Sequence, residues 1–287
     1  MRFDMTSRVM IFGGRGYLGG QFHALYPDSV CPDVDIADRA AVATALDFGP
    51  DVVVNCAGKT GRPNVDWCET HRTATLRANV TGVLVLLEEC LARGMYLVHL
   101  GSGCIYTGDN GGVGFREEDA PNFAGSFYSR TKAWSDEILH DFPVLNIRLR
   151  MPFDGTTSER SLITKLCRYT RVLTTPNSLT HLPDMMRVVS ELINRRATGT
   201  YNVVNPGMMS PFDVMTRYKS IVDPNHAFEP LAENRLGEVT TAGRSNCLLN
   251  TDKLRLAGLR MPPVQEAIDT ALHQLAAHKA AMTSRAV

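Results

Sequence analysis

Tyr128 and Lys132 stand four residues apart in the run Tyr128-Ser-Arg-Thr-Lys132. On a helix that spacing puts both side chains on one face. A lysine so placed can lower the tyrosine pKa, and the phenol can pass a proton to a carbonyl oxygen as hydride reaches the carbon. Lys132 can also bond the ribose of a nicotinamide cofactor. A Tyr-x-x-x-Lys spacing is common by chance, but here three features precede it in the order such chemistry needs. The first is the glycine-rich run Gly13-Gly14-Arg15-Gly16-Tyr17-Leu18-Gly19, directly after an apolar strand and at the head of a helix. Gly13 allows a tight turn, Gly16 lets the backbone approach a pyrophosphate, and Gly19 lets helix and strand pack closely, while the helix start attracts phosphate charge. The second is Asn55-Cys56-Ala57-Gly58 at the end of a buried strand, which places Asn55, Ala57 and Gly58 beside the cofactor. The third is Ser102, just past another strand, where its hydroxyl can hold the same carbonyl oxygen.

The glycine turn, with Arg15, Tyr17 and Leu18 inside it, therefore reads as a dinucleotide site. The second-strand acid that would select NADH is poorly marked. Ser29 to Asp35 holds only a short strand, with Asp33 as its one doubtful candidate. Arg15 can meet a 2′-phosphate or stand solvated in the turn. The balance points to NADPH and leaves NADH open.

The elements that must carry these residues follow from the pattern. Arg8 to Phe12, Asp51 to Asn55, Tyr96 to Leu100 and Val144 to Leu149 are apolar, partly β-branched runs of the kind buried on both sheet faces. Helical spacing lies between them at Tyr17 to Leu25, Asp38 to Leu46, Arg72 to Arg93 with Gly94 as C-cap, and Tyr128 to His140. Strand and helix alternate, so an α/β fold with a parallel sheet and helices on both faces is expected. After Arg150 the rhythm changes. A helix is expected over Leu162 to Leu173, another over Pro183 to Arg195, a strand that ends in a turn over Gly199 to Gly207, a helix capped by Ser210-Pro211 through Tyr218, and a last helix from Pro262 to about Lys279 with a frayed tail after Ala280. The division expected is 1–150 as a dinucleotide-binding domain and 151–287 as a small mixed substrate lobe, some of whose elements return to the main sheet.

With these motifs in place the chain resembles the extended short-chain dehydrogenases, and within them the family of dTDP-4-dehydrorhamnose reductase and GDP-fucose synthase. GGRGYLGG, NCAG, GSGCIY, YSRTK, GTYNVVNPG and LNTDKL carry that likeness over nearly the whole chain. Longer strings are similar to the bifunctional 3,5-epimerase/4-reductases of UDP-rhamnose synthesis: TGRPNVDWCE, GFREEDAPNFAGSFYSRTKA, RMP, LITK, PNSLT and RSN. The resemblance implies a Rossmann-type doubly wound fold, NADPH as cofactor, and reduction of a UDP- or dTDP-linked 4-keto-6-deoxyhexose to a rhamnose-type sugar. It also implies epimerisation through Cys104, at the place where GDP-fucose synthase has its acid/base cysteine. The matching histidine is absent near Ser161, and Lys165, one turn on, takes its place by analogy with the rhamnose-type enzymes. Substrate contacts are expected from Arg62, Asn64 and Asp66 in the loop after the DVVVN strand, from Asn177 and Thr180, and from Arg244 and Asn246, where an arginine fork suits a diphosphate. Two departures stand out: Ser102 replaces a threonine of the plant enzymes, and Gly243 replaces a proline. A reductase needing a separate epimerase is the nearest alternative, and a non-catalytic NADP-binding regulatory subunit the more distant one.

Composition excludes other classes. The 287 residues carry 30 basic and 30 acidic side chains, a balance that disfavours nucleic acid as a partner. Seven cysteines with irregular spacing and no CxxC fit neither a disulfide framework nor a metal site, and they suit a reducing cytoplasm. The first residues lack a signal-peptide core, and the apolar run Val83 to Leu87 falls far short of the roughly 20 residues of a membrane span. A homodimer is the default assembly for a soluble enzyme of this kind.

Overall fold

The computed structural model describes residues 7–285. The chain opens with β1 (Val9–Phe12), α1 (Tyr17–Leu25) and α2 (Arg39–Leu46), then β2 (Val52–Asn55). Two short helices, α3 (Asp66–Thr70) and α4 (Arg72–Leu76), lead through a π-helical turn at Arg77–Thr81 into α5 (Gly82–Ala92). β3 (Tyr96–Leu100), α6 (Phe127–His140), β4 (Leu145–Arg148) and β5 (Pro152–Phe153) follow. The rest comprises α7 (Leu162–Leu166), β6 (Arg171–Leu173), β7 (Asn177–His181), α8 (Leu182–Asn194), β8 (Gly199–Asn202), β9 (Asn205–Met209), α9 (Pro211–Ile221), β10 (Glu229–Leu231), α10 (Asp252–Leu256) and α11 (Val264–Arg285).

Five strands form one parallel sheet in the order β1-β2-β3-β4-β8. Every residue of β1, β2 and β4 is buried, as the β-branched runs required. One face is covered by α1 and α8 through Phe22, Met185, Val188 and Val189. The other is covered by α2 and α5 through Val42, Leu46, Val83 and Leu86. Beyond β1 the poor second strand survives as a single parallel bridge, Met10 to Val30, with Ile11 N–H donating to the Val30 carbonyl at 2.8 Å. This is the doubly wound parallel sheet expected from the alternation.

The remaining elements build a smaller cluster around Phe153, Ile163, Leu179, Met215, Tyr218, Ile268 and Leu272. There β7 pairs with β5 in parallel and with β9 antiparallel, and β6 pairs with β10. The Ser210 side chain accepts from Asp213 N–H and Asp213 reciprocates, the capping box of α9.

Four elements differ from expectation. The helix expected over Leu162 to Leu173 stops at Leu166, and Arg171–Leu173 becomes a strand because Val172 is buried where β10 supplies a partner. The run Gly199 to Gly207 is two strands, not one. Buried Asn202 donates to the Phe115 and Asn250 carbonyls, and buried Asn205 accepts from His181 N–H, so the chain turns between the two sheets. The long helix Arg72 to Arg93 is broken by its π turn, whose extra residue aims Asn79 inward. Asn79 there bonds both polar atoms of the Lys59 backbone and the Thr131 hydroxyl. Gly94 does end the helix, with φ +63°. The tail expected to fray after Ala280 continues as helix to Arg285.

Candidate active site

Ser126 caps α6 by accepting from Ser129 N–H, which starts the helix one residue before Tyr128. Asp136 anchors its far half by accepting two bonds from the buried Arg148 guanidinium of β4, at 3.0 and 2.6 Å. Tyr128 and Lys132 are thus fixed on the side of α6 that faces the end of β3, and both are buried, as is Ser102. Lys132 Nζ donates to the Leu100 carbonyl at 3.0 Å and lies 3.3 Å from His99 Nε2. Burial lowers the Lys132 ammonium to about 8, partly opposed by Asp136. Burial likewise pushes His99 well below its ordinary value, helped by the Lys132 charge, so the imidazole is neutral. Tyr128 moves up: burial and the Cys104 sulfur raise it, while a bond from Ser102 works the other way. In this state Lys132 is turned to Leu100 and His99, and burial keeps the phenol protonated. Cys104 is held by its own N–H, which donates to the Ser102 hydroxyl at 3.1 Å, and by the Arg150 guanidinium, which donates to its sulfur.

The glycine turn closes with Gly16 N–H donating to the Gly13 carbonyl at 2.9 Å. Gly13 has φ +77°, and a Cβ there would lie 2.7 Å from the Ala57 nitrogen. A Cβ on Gly19 would lie 2.1 Å from the Gly13 carbonyl. Gly16 is exposed at the head of α1, and no side chain caps that helix end. The turn is therefore a cradle shaped for a pyrophosphate, and the residues fit a dinucleotide. Asn55 accepts from Ala57 N–H and contacts His99 Nδ1, which ties the NCAG corner to the residue beneath Lys132. Gly58 lies against Asn79. Arg15 pairs with Asp33 at 2.7 Å, both largely exposed. Leu18 packs into the core, while the buried Tyr17 hydroxyl approaches Asp154 and Ser161 of the lobe, and burial with the Asp154 charge raises its pKa.

A cavity of about 480 Å³ opens between the sheet edge and the lobe. Cys104 and Tyr128 line its inner end, with Asn64, Lys165, Asn177, Arg244 and Asn246 among its walls. Arg62 is exposed outside that lining. Thr180 is buried and structural, accepting from Arg150 N–H and donating to the Val203 carbonyl. Asp66 lies behind the wall and grips the loop that carries Arg244: its carboxylate accepts from Ala242 N–H and from Arg244, each at 2.9 Å. Burial pushes Asp66 up, but Arg244 and the backbone donors override it and hold it below the usual range. Asn177 and Asn246 bond each other at 2.7 Å. Burial, with Arg160 nearby, lowers the Lys165 ammonium. Ser161, one turn earlier, is buried with its hydroxyl facing the Asp154 backbone.

Sequence reasoning missed Arg150, Arg160, Arg168 and Arg171, all of which line the cavity with Lys165 and Arg244. No acidic side chain lines it. Arg150 lies in the RMP string, which shows nothing of its contacts, and no motif marks Arg160, Arg168 and Arg171. Nothing in the strand Tyr96–Leu100 marks the contact of His99 with Lys132 either.

The profile of the RmlD substrate binding domain matches residues 7–152. A bifunctional dTDP-4-dehydrorhamnose 3,5-epimerase/dTDP-4-dehydrorhamnose reductase of Arabidopsis thaliana is 36% identical over 90% of this chain and 90% of its own length. The chain belongs to this family. A trifunctional UDP-glucose 4,6-dehydratase/UDP-4-keto-6-deoxy-D-glucose 3,5-epimerase/UDP-4-keto-L-rhamnose-reductase from the same plant is 38% identical over 86% of this chain, which spans 39% of that longer protein. The crystal structure of the L780 UDP-rhamnose synthase from Acanthamoeba polyphaga mimivirus superposes with a TM-score of 0.89 at 32% identity, covering 93% of this chain and 99% of that one. Among the described residues no helix is long and apolar enough to cross a membrane.

Proposed function

We propose that the chain reduces the C4 ketone of a UDP- or dTDP-linked 4-keto-6-deoxyhexose and first inverts C3 and C5, giving a rhamnose-type nucleotide sugar. The observation that carries this reading is the cavity itself: six basic residues and no acid line it, and the phenol of Tyr128 and thiol of Cys104 stand at its inner end. Such a lining suits a diphosphate, and a volume of about 480 Å³ leaves room for a sugar ring beyond the phosphates. The relatives' names support the same substrate class.

NADPH bound at the glycine turn would supply the hydride. Gly13, Gly16 and the head of α1 would hold its pyrophosphate, and Arg15 would meet its 2′-phosphate. Lys132 would hold the nicotinamide ribose. Ser102 bonds the C4 oxygen, and Tyr128 donates its proton there as negative charge develops. Before that step Cys104 and Lys165 exchange protons at C3 and C5, whose acidity comes from delocalisation onto the C4 oxygen. Arg160 and Arg244 take the diphosphate, and Asp66 sets Arg244. The sheet serves the cofactor and the lobe serves the substrate.

Incubation with the 4-keto sugar nucleotide in deuterated water, without NADPH, tests the epimerase half. Deuterium at C3 and C5 by NMR, lost from at least one carbon in Cys104→Ala, is the expected result. No deuterium in the wild type, with NADPH oxidation intact, reduces the function to 4-keto reduction alone.

A further inference from the structure

Two arginines stand two residues apart at the end of β4, and both are buried. Arg148 is 3% exposed and Arg150 is 1% exposed. Arg148 meets the usual need of a buried cation, because the Asp136 carboxylate faces it in two bonds. Arg150 forms no ion pair with a carboxylate among the described residues. Its guanidinium donates instead to the Ser245 carbonyl at 2.8 Å, the Ser245 hydroxyl at 3.1 Å, the Asn177 amide oxygen and the Cys104 sulfur. Its Nε is buried with no partner. Ser245 and Asn177 are neutral. Of the four acceptors only the sulfur can become an anion, and Cys104 lines the cavity.

A full positive charge held out of water without a counter-charge is costly, because no facing anion repays its desolvation. The arrangement places that unmet charge against the thiol. We propose that Arg150 is the positioning residue for Cys104, fixing its sulfur at the inner end of the cavity and stabilising the thiolate whenever the thiol gives up its proton. In the forward direction the thiol donates its proton to the sugar carbanion, the S–H bond breaks as the C–H bond forms, and the negative charge passes from the enolate to the sulfur, where Arg150 faces it. In the reverse direction the thiolate takes the proton back. No oxidant or further reactant is needed. Asn177 then has a defined part: it orients the guanidinium through one oxygen while its amide nitrogen bonds Asn246. This deepens the epimerase part of the proposed function, but its test needs no sugar.

The test is the rate at which iodoacetamide alkylates Cys104 at fixed neutral pH, read by mass spectrometry of the Cys104 peptide. The thiolate is the form that reacts, so the rate follows stabilisation of that form. Arg150→Gln is expected to slow the reaction about tenfold while NADPH still binds, and Arg150→Lys, which keeps the charge, should stay within about threefold of wild type. An unchanged or faster rate in Arg150→Gln, with NADPH binding intact, overturns the proposal. Should Arg150→Gln not fold, the unaltered protein decides: Cys104 must react before Cys31, which is also half-buried. Equal labelling of the two would contradict the pairing. If the alkylation result holds but wild-type enzyme incorporates no deuterium at C3 or C5, the pair stands and the epimerase reading falls.

Discussion

At the scale of single residues, the site separates two groups that act together. In the proposed reaction Lys132 must be charged to hold the ribose, and Tyr128 must be protonated to serve as the acid. Burial brings Lys132 to about 8 while it raises Tyr128. Both required forms are present at low pH, and Lys132 is the first to lose its proton as pH rises. The pH profile of kcat/KM for reduction, which reports the free enzyme, should therefore fall above a pH of about 8. A flat profile to well beyond that value would show that the Lys132 charge is dispensable. The same pair shows how much of the site was legible. Tyr128, Lys132, Ser102 and the glycines were readable because each sits at a fixed offset in a local element. The side chains they touch across the fold were not. His99 sits on β3 while Lys132 sits on α6, and Arg150 reaches Cys104 across 46 positions. Thr180 illustrates the opposite case, a residue in a telling string whose hydroxyl is consumed by the backbone.

At the scale of elements, the glycine after α5 and the glycine inside α1 do different work. Gly94 ends α5 with φ +63°, and nothing lies within 4 Å of where its Cβ would be. Gly94→Ala should cost about 1 kcal/mol in urea unfolding, from backbone strain alone, and leave NADPH affinity unchanged. Gly19 packs α1 on the turn, with its Cβ position 2.1 Å from the Gly13 carbonyl. Gly19→Ala should cost about 2 kcal/mol or more and weaken NADPH at least tenfold, because the turn itself must move. Equal effects of the two substitutions on NADPH binding, measured by fluorescence titration, would sever the link drawn between the turn and the cofactor. The sheet was legible because buried parallel strands are written as continuous apolar runs. The lobe was less so. Arg171–Leu173 lies only a few residues beyond the end of α7, and its strand character comes from β10, far along the chain. The corner between β8 and β9 depends on buried asparagines whose partners lie elsewhere in the sequence.

At the scale of the whole molecule, a chain of zero formal net charge concentrates cations in one cavity between its two halves. In the proposed function the substrate is held by both halves at once, and the Asp66–Arg244 pair ties the start of α3 to the loop that carries Arg244. Asp66→Ala should raise KM for the sugar nucleotide about tenfold and change kcat less than threefold, because it loosens a positioning arginine and leaves the reacting groups in place. Steady-state kinetics at several substrate concentrations separates the two, and a loss confined to kcat would assign Asp66 to the chemistry instead. The most direct measurement of the whole is NADPH oxidation with UDP- and dTDP-linked 4-keto-6-deoxyhexoses by wild type and Tyr128→Phe. With the phenol as the proposed proton donor to the C4 oxygen, Tyr128→Phe should keep NADPH affinity and lose about 10²- to 10⁴-fold in kcat. Turnover at the wild-type rate in Tyr128→Phe would contradict it, as would a wild type that binds NADPH and oxidises it with neither sugar.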